Sequence, residues 1–244
     1  NLVVSEGYQV VAKLELNNEK GNYDIKIVNG ATKAEVKYAK ENGTIKNNAL
    51  HCPNCGQSTP ITALRKDRRN NGITEYGIRK WEKDEFIPRP DDIYTERLYA
   101  IKYIEKHSDR TWEQVYKKHP AATDSTFGNV YYIQPSEQDL QREIQVINLL
   151  EKRFEEWQNK GFIPSQKIES GEKTDEPTRT RGWTHWHQLF NPRQLLVLGL
   201  FSEKLYTLAK SREEIIIGML SINKSADWNS KLAIWNTARD VVQA

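Results

Sequence analysis

The densest apolar pattern follows Asn191-Pro192, where Leu195, Leu196, Leu198, Phe201, Leu205 and Leu208 fall in close succession. An asparagine N-cap with proline at the first helical position is a strong helix start. The apolar positions spread wider than a stripe, which predicts a helix buried on most of its circumference. Phe190, just before the cap, is placed to act as a hydrophobic staple. Upstream, Leu140, Ile144, Ile147, Leu150, Phe154 and Trp157 recur at steps of three or four. That spacing predicts an amphipathic helix over 137–159, with Ser136 as cap, Asp139 at the third position and Lys160-Gly161 as the stop. Burying such side chains stabilises by roughly 1.5–3 kcal/mol each before entropy is deducted, so the stripe must cover a partner element. Ser211 and Glu214 form a further capping box ahead of Ile215, Ile216, Ile217, Met219, Leu220 and Ile222, which predicts a mostly buried helix. Trp228, Leu232, Ile234 and Trp235 extend the helical reading through the final third. Its hydrophobic surplus suits packing on a sheet outside the chain.

The first half alternates instead. Tyr8 to Leu16 and Tyr23 to Val28, split by Asn17 to Gly21, predict an antiparallel hairpin with Asp24 and Lys26 facing solvent. Thr32 and Glu35 stand in capping-box register for a short helix over 32–40, although Val36 and Tyr38 fit an extended piece equally well. Leu98 to Ile104 and Val130 to Ile133 read as strands, the second stopped by Pro135. Asp109 to Lys118, with Trp112, Val115 and Tyr116, reads as a short helix. Residues 165–182 are poor in apolar side chains and predict a linker.

His51-Cys52-Pro53-Asn54-Cys55-Gly56 introduces chemistry. Two thiolates two residues apart can converge on one ion, and a glycine after the second permits the tight reversal that turns backbone amides toward sulfur. A structural zinc site takes four ligands, so Cys52 and Cys55 supply half of one. A partner pair outside the chain is the economical complement, with His51, His107 and His119 as weaker alternatives and a reduced or redox-active pair as the rival reading. Gly56 to Pro60 reads as a turn, unlike the helix that opens a thioredoxin-type centre.

The formal charge of +3, from 36 basic and 33 acidic side chains, is too small to imply nucleic acid. Locally the balance differs: Arg65 to Arg89 holds eight Lys or Arg against five Asp or Glu. Within it, Arg65, Lys66, Arg68 and Arg69 are candidates for phosphate contact, or for a solvated linker. No apolar segment reaches the roughly 20 residues that span a bilayer, and a CxxC fits a reducing compartment, so a cytoplasmic protein without membrane contact is expected. The chain starts without Met and stops just after Val242, as a fragment would. These elements predict an α+β fold in four parts: a zinc-ribbon-like β insert with its basic segment over 1–90, a small α/β region over 91–164, the linker over 165–182, and a helical part over 183–244.

His185 and His187 flank Trp186, and side chains two apart diverge in an extended segment, which disfavours joint metal ligation. Trp183 and Trp186 can stack on a nucleobase or fill a core. The first-turn amides after Asn191 and the charge of Arg193 make a candidate anion site. Glycine-rich phosphate loops, HExxH and the GxSxG elbow are absent from the sequence.

Trp183 to Leu200, with Leu189-Phe190 and Pro192-Arg193-Gln194-Leu195-Leu196, resembles the (F/W)GDLFTPRQLLAL segment of adenine-specific DNA methylases that carry a zinc-ribbon insert. His187-Gln188 stands where that family has Gly-Asp. HCPNCGQSTP at His51 to Pro60 resembles the second half of the family's ribbon. ERLYAIK at Glu96, YYIQPSEQDL at Tyr131 and NSKLAIW at Asn229 resemble the same region in the same order. The resemblance covers most of Leu50 to Val242. It implies an S-adenosylmethionine-dependent enzyme that methylates adenine N6 in DNA, in restriction-modification or phage defence. In the family the cofactor loop lies upstream of the ribbon and the catalytic turn lies downstream, so this chain would be the middle portion, without catalytic residues and inactive alone. Its helices would pack on a Rossmann-like methyltransferase sheet largely outside the chain. The expected partners are DNA, the remainder of that polypeptide and other defence subunits. Phe190, Asn191, Pro192 and Arg193 would border the cofactor, and zinc would be shared with the missing cysteine pair. A non-catalytic DNA-binding or protein-interaction adaptor with a zinc knuckle is the alternative, and a scaffold built on the Leu140 to Trp157 stripe a third.

Overall fold

Alternating side chains form the N-terminal strands much as the sequence predicts. The structure is a computed structural model that describes residues 1–19, 21–106 and 128–243. Strands β1 (Leu2–Ser5), β2 (Val10–Asn17) and β3 (Asn22–Val28) form an antiparallel sheet in that order. Ala12 lies opposite Ile27 and Leu14 opposite Ile25, which fixes the expected hairpin; β1 is an addition to it. Val10 and Ala12 bury one face of the sheet against Tyr132, and Val11 buries the other against α1 (Lys33–Glu41). The Thr32–Glu35 capping box is complete, and it decides for helix over the extended alternative.

A second small sheet follows, with β4 (Ile45–Lys46), β5 (Ala49–His51) and β6 (Ser58–Pro60) in order. The expected turn after Gly56 therefore becomes strand at Ser58. After the single-turn α2 (Ile61–Leu64), β7 (Arg68–Asn70) and β8 (Ile73–Glu75) make a hairpin. Asn71 and Gly72 join them with φ of 50° and 83°, the left-handed pair a tight hairpin requires. Strands β9 (Ile101–Lys106) and β10 (Gly128–Ile133) pair with Tyr103 opposite Tyr131. The helix expected over 109–118 lies outside the described residues, as do His107 and His119.

The long amphipathic helix is two helices, α3 (Glu137–Glu151) and α4 (Phe154–Asn159). The N–H of Arg153 bonds three residues back to Leu150 at 2.9 Å, and that tightened turn redirects Phe154 and Trp157 into the core. Leu150, Phe154 and Trp157 are buried with Phe86, Ile163, Leu195 and Leu196, whereas Leu140 and Ile144 stay exposed. Residues 165–182 are no linker. They carry α5 (Asp175–Arg181) and dock through Ile168, whose N–H donates to the Thr184 carbonyl at 2.8 Å. Gly182 ends α5 at φ 80°, and a Cβ there would stand 2.0 Å from the Arg79 carbonyl oxygen. Residues 79–92 likewise leave the expected 1–90 unit, since Trp81 and Phe86 are buried among the C-terminal elements.

Helix α6 (Pro192–Leu208) starts as predicted, with Asn191 and Gln194 in a complete capping box. It is buried on one face only: Leu195, Leu196, Leu198, Gly199 and Ser202 face inward, while Phe201 and Leu208 are exposed. The next helix, α7 (Arg212–Trp228), has no buried residue, against the expectation of a mostly buried helix. One neighbouring helix cannot cover an apolar surface that runs most of the way round. Ser211 caps it, but the Glu214 carboxylate accepts from the Lys210 N–H, so the reciprocal half of the box is missing. The last stretch is also not helical. Asn229 ends α7, and the β-branched and aromatic residues beyond it form the antiparallel pair β11 (Ile234–Asn236) and β12 (Val241–Gln243). This pair returns to β1: the Glu6 N–H donates to Thr237 O and the Trp235 indole N–H to Val4 O, both at 2.8 Å. The whole is a mixed α+β fold of short sheets and helices. Among the described residues no helix is long and apolar enough to cross a membrane.

Two glycines distinguish a rigid contact from a soft one. A Cβ on Gly199 would lie 2.2 Å from the fully buried Trp157 ring, whereas one on Gly218 would meet the tip of Leu205. Gly199→Ala is expected to lose about 1–3 kcal/mol in chemical denaturation. Gly218→Ala is expected to stay within about 1 kcal/mol of the parent, because Leu205 can turn aside and the helix gains propensity.

Candidate functional site

The segment that enters α6 is fixed by buried polar side chains. Gln188, with no exposed surface, accepts the N–H groups of Thr184 and His185 at 2.7 and 3.0 Å and donates to Glu82 O at 2.6 Å. His187, equally buried, sits 3.0 Å from Glu85 O through Nε2 and 3.3 Å from the Gln158 amide nitrogen through Nδ1. An Nε2–H that donates to the carbonyl leaves Nδ1 to accept from Gln158, so the neutral ring satisfies both partners. Burial, with His185, Lys231 and Lys83 nearby, lowers its pKa to about 4. His187 is therefore a structural plug, and with Gln188 it ties residues 82–85 to the 3-10 turn Trp186–Leu189. The tied loop is stiffened by Arg79, which grips Asp92 through Nε and Nη2 at 2.8 and 2.6 Å and reaches Glu85 at 2.7 Å. Hydrogen bonds from Arg79 hold the Asp92 carboxyl below its ordinary range.

Beside this segment opens a cleft of about 1030 Å³. Trp183, Trp186, Leu189, Tyr94, Leu232 and Ile234 supply its apolar lining; Glu96, Lys173, Glu176, Arg181, Asn191, Gln194 and Lys231 are among its polar and charged residues. Trp183 is a core residue with Trp81, Ile168 and Leu189, but Trp186 is 39% exposed. Lys231 is nearly buried and pairs with Glu96 at 2.6 Å, over the rings of Trp81 and Trp183. Burial pushes its ammonium below the ordinary value, with Glu96 opposing in part. Sequence reading missed the Glu96–Lys231 and Tyr94–Arg181 contacts, because each joins residues far apart in the chain.

Phe190 packs into the adjoining core clusters. Asn191 and Gln194 spend their carbonyl oxygens on the capping box, Pro192 has no N–H, and the Arg193 guanidinium pairs with Glu143. As placed, this turn offers a cofactor carboxylate no uncommitted charged donor.

Cys52 and Cys55 sit in the loop that joins β5 to β6, where His51 lies opposite Ser58. The Cys52 N–H donates to Gln57 O at 2.8 Å, the Gly56 N–H to Cys52 O at 2.9 Å, and Gly56 takes φ 73°. Backbone N–H groups of Cys55 and Asn54 approach the Cys52 sulfur and lower its pKa to about 7. Thiolate stabilisation by turn amides fits two corners of a structural zinc site. The His51 Nε2 lies 3.3 Å from Lys46 O, which commits the ring to a backbone carbonyl. Among the described residues no group of three or more ligating side chains converges.

The basic run divides. Arg65 is committed, bonding Asp67 through Nε and Nη2 at 3.0 and 2.7 Å with both side chains largely buried. Lys66, Arg68 and Arg69 are exposed at the base of the β7–β8 hairpin, every residue of which is exposed. The Asn71-Gly72 dipeptide is a hairpin signal that the reading of this run as phosphate contact or linker passed over. Comparison with protein-family models, with curated proteins and with solved structures gave no match to this chain.

His187 makes a pH prediction. Its folded pKa lies below its unfolded value, so the unfolded chain binds the proton first. The stabilisation is complete above about pH 6.5 and is lost as pH falls toward 4, by about 3 kcal/mol at most. Denaturant unfolding at successive pH values should show that slope, and His187→Gln should flatten it.

Proposed function

We propose that this chain is the middle portion of an S-adenosylmethionine-dependent DNA adenine-N6 methyltransferase, as its motif order resembles. The observation that carries the reading is the uncovered apolar face of the α6–α7 hairpin. Phe201, Leu208, Ile217 and Leu220 are each more than half exposed; α6 buries its opposite face, and α7 buries no residue at all. A face of that size calls for a further layer, and in the resembled family that layer is the methyltransferase sheet. Two further features support the reading. The Cys52–Cys55 turn has the form of half a zinc knuckle, and the exposed cations of β7–β8 suit duplex phosphates. When bound by the intact protein, the sulfonium cofactor supplies the methyl group. The residues of this chain would shape the surface along which the DNA strand is held.

The direct test is the full-length protein with labelled S-adenosylmethionine and unmethylated DNA. Label in N6-methyladenine is the expected result. DNA binding with no transferred label, from a polypeptide that binds no cofactor, would instead favour the adaptor. The hairpin is tested separately: the triple replacement of Lys66, Arg68 and Arg69 by Gln should weaken duplex binding. The slope of log affinity against log salt should drop by roughly 0.9 for each phosphate that is no longer neutralised. An unchanged slope would leave these side chains as plain solvated surface.

A further inference from the structure

The cleft beside the 3-10 turn has no part in the roles assigned above, yet its walls combine three complementary kinds of group. Trp186 offers an indole surface on a turn immobilised by Gln188. The capping box uses the carbonyl oxygens of Asn191 and Gln194, so the amino ends of both amides are what remains to meet a ligand. Arg181 stands at the rim with its guanidinium 4.3 Å from the centre of the Tyr94 ring. Lys231 is paired with Glu96, which leaves Arg181 and Lys173 as the other cations of the lining, with Glu176 as its other acid. Two residues before Arg181, Arg179 lies 5.6 Å from the centre of the Tyr76 ring, next to the end of β8. The last turn of α5 thus places Arg179 beside the basic hairpin and Arg181 on the cleft, while Asp175 and Glu176 occupy its first turn and Glu176 also lines the cleft.

An exposed indole, two amides with donors to spare and a guanidinium on one cleft match the three parts of a nucleotide: the base surface, its acceptor edge and its phosphate. We propose that the cleft receives a single unstacked nucleotide of a DNA strand that runs along the basic hairpin. The base stacks on Trp186, Asn191 and Gln194 donate to its edge, and Arg181 holds its phosphate. This inference rests on the DNA reading above and gives it a second contact, specific for opened strands.

The test is equilibrium binding of a single-stranded oligonucleotide carrying one 2-aminopurine to the intact protein without cofactor. Stacking on indole should quench the probe. Trp186→Ala should abolish the quench and weaken binding about tenfold or more. Trp186→Phe should keep most of both, which separates a missing stacking surface from a misfolded chain. Arg181→Gln should lower the salt slope by roughly 0.7. Quench and affinity unchanged in both Trp186→Ala and Arg181→Gln would overturn the proposal, while duplex methylation could still stand. Adenosine monophosphate binding as tightly as the oligonucleotide would also overturn it, assigning the cleft to a free nucleotide. No binding of any DNA by the parent protein would sink the functional reading beneath it.

Discussion

The benzo ring of Trp157 rests directly on the backbone of Gly199, and the C-terminal half of the fold depends on that contact. The ring has no exposed surface, and its indole N–H donates to Glu203, one turn further along α6, at 3.3 Å. Only a residue without a side chain lets the two helices come so close. Trp157 lies in α4, just past the tightened turn at Arg153 that ends α3. Phe154, Ile163 and Phe86 then close around the ring. A dispersion contact repeated over one large aromatic side chain thus fixes where α4, α6 and the 79–92 loop stand relative to one another.

Around that apolar contact the chain uses buried polar side chains for positioning. Gln188 and His187 satisfy backbone groups of the 82–85 loop that have no strand or helix to pair with. Arg79 holds the same loop from within. The turn is therefore held on its inner side, while Trp186 is exposed and Asn191 and Gln194 are half-buried. The molecule is unevenly finished: the sheet of β1–β3 is covered on both faces, whereas α6 and α7 leave large side chains in solvent.

Sequence made the local elements legible and the long-range ones opaque. The boxes at Thr32, Ser136 and Asn191 are present with their reciprocal bonds, as a motif set within four residues allows; at Ser211 only the cap forms, because the Glu214 carboxylate turns to the Lys210 N–H. The β2–β3 register follows from alternation. The break at Arg153 was hidden, since the stripe stays in phase across it and only the tertiary position of Trp157 reveals it. Residues 165–182 misled through composition: one Ile168 and one Gly182 suffice to dock a polar stretch. The β11–β12 pair reads as helix until β1 is there to receive it. Of the candidate site, Cys52 and Cys55 were legible through their spacing. The commitments of Arg65 to Asp67 and Arg193 to Glu143 were not, because side-chain pairing is settled by geometry that no pattern encodes.

The bonds from Val4 and Glu6 to Trp235 and Thr237 join positions 231 residues apart along the chain. They clasp an early segment against a late one, a closure over most of the described chain. Its loop entropy is offset only once the elements between have docked, so this seam is expected to form late and to open early.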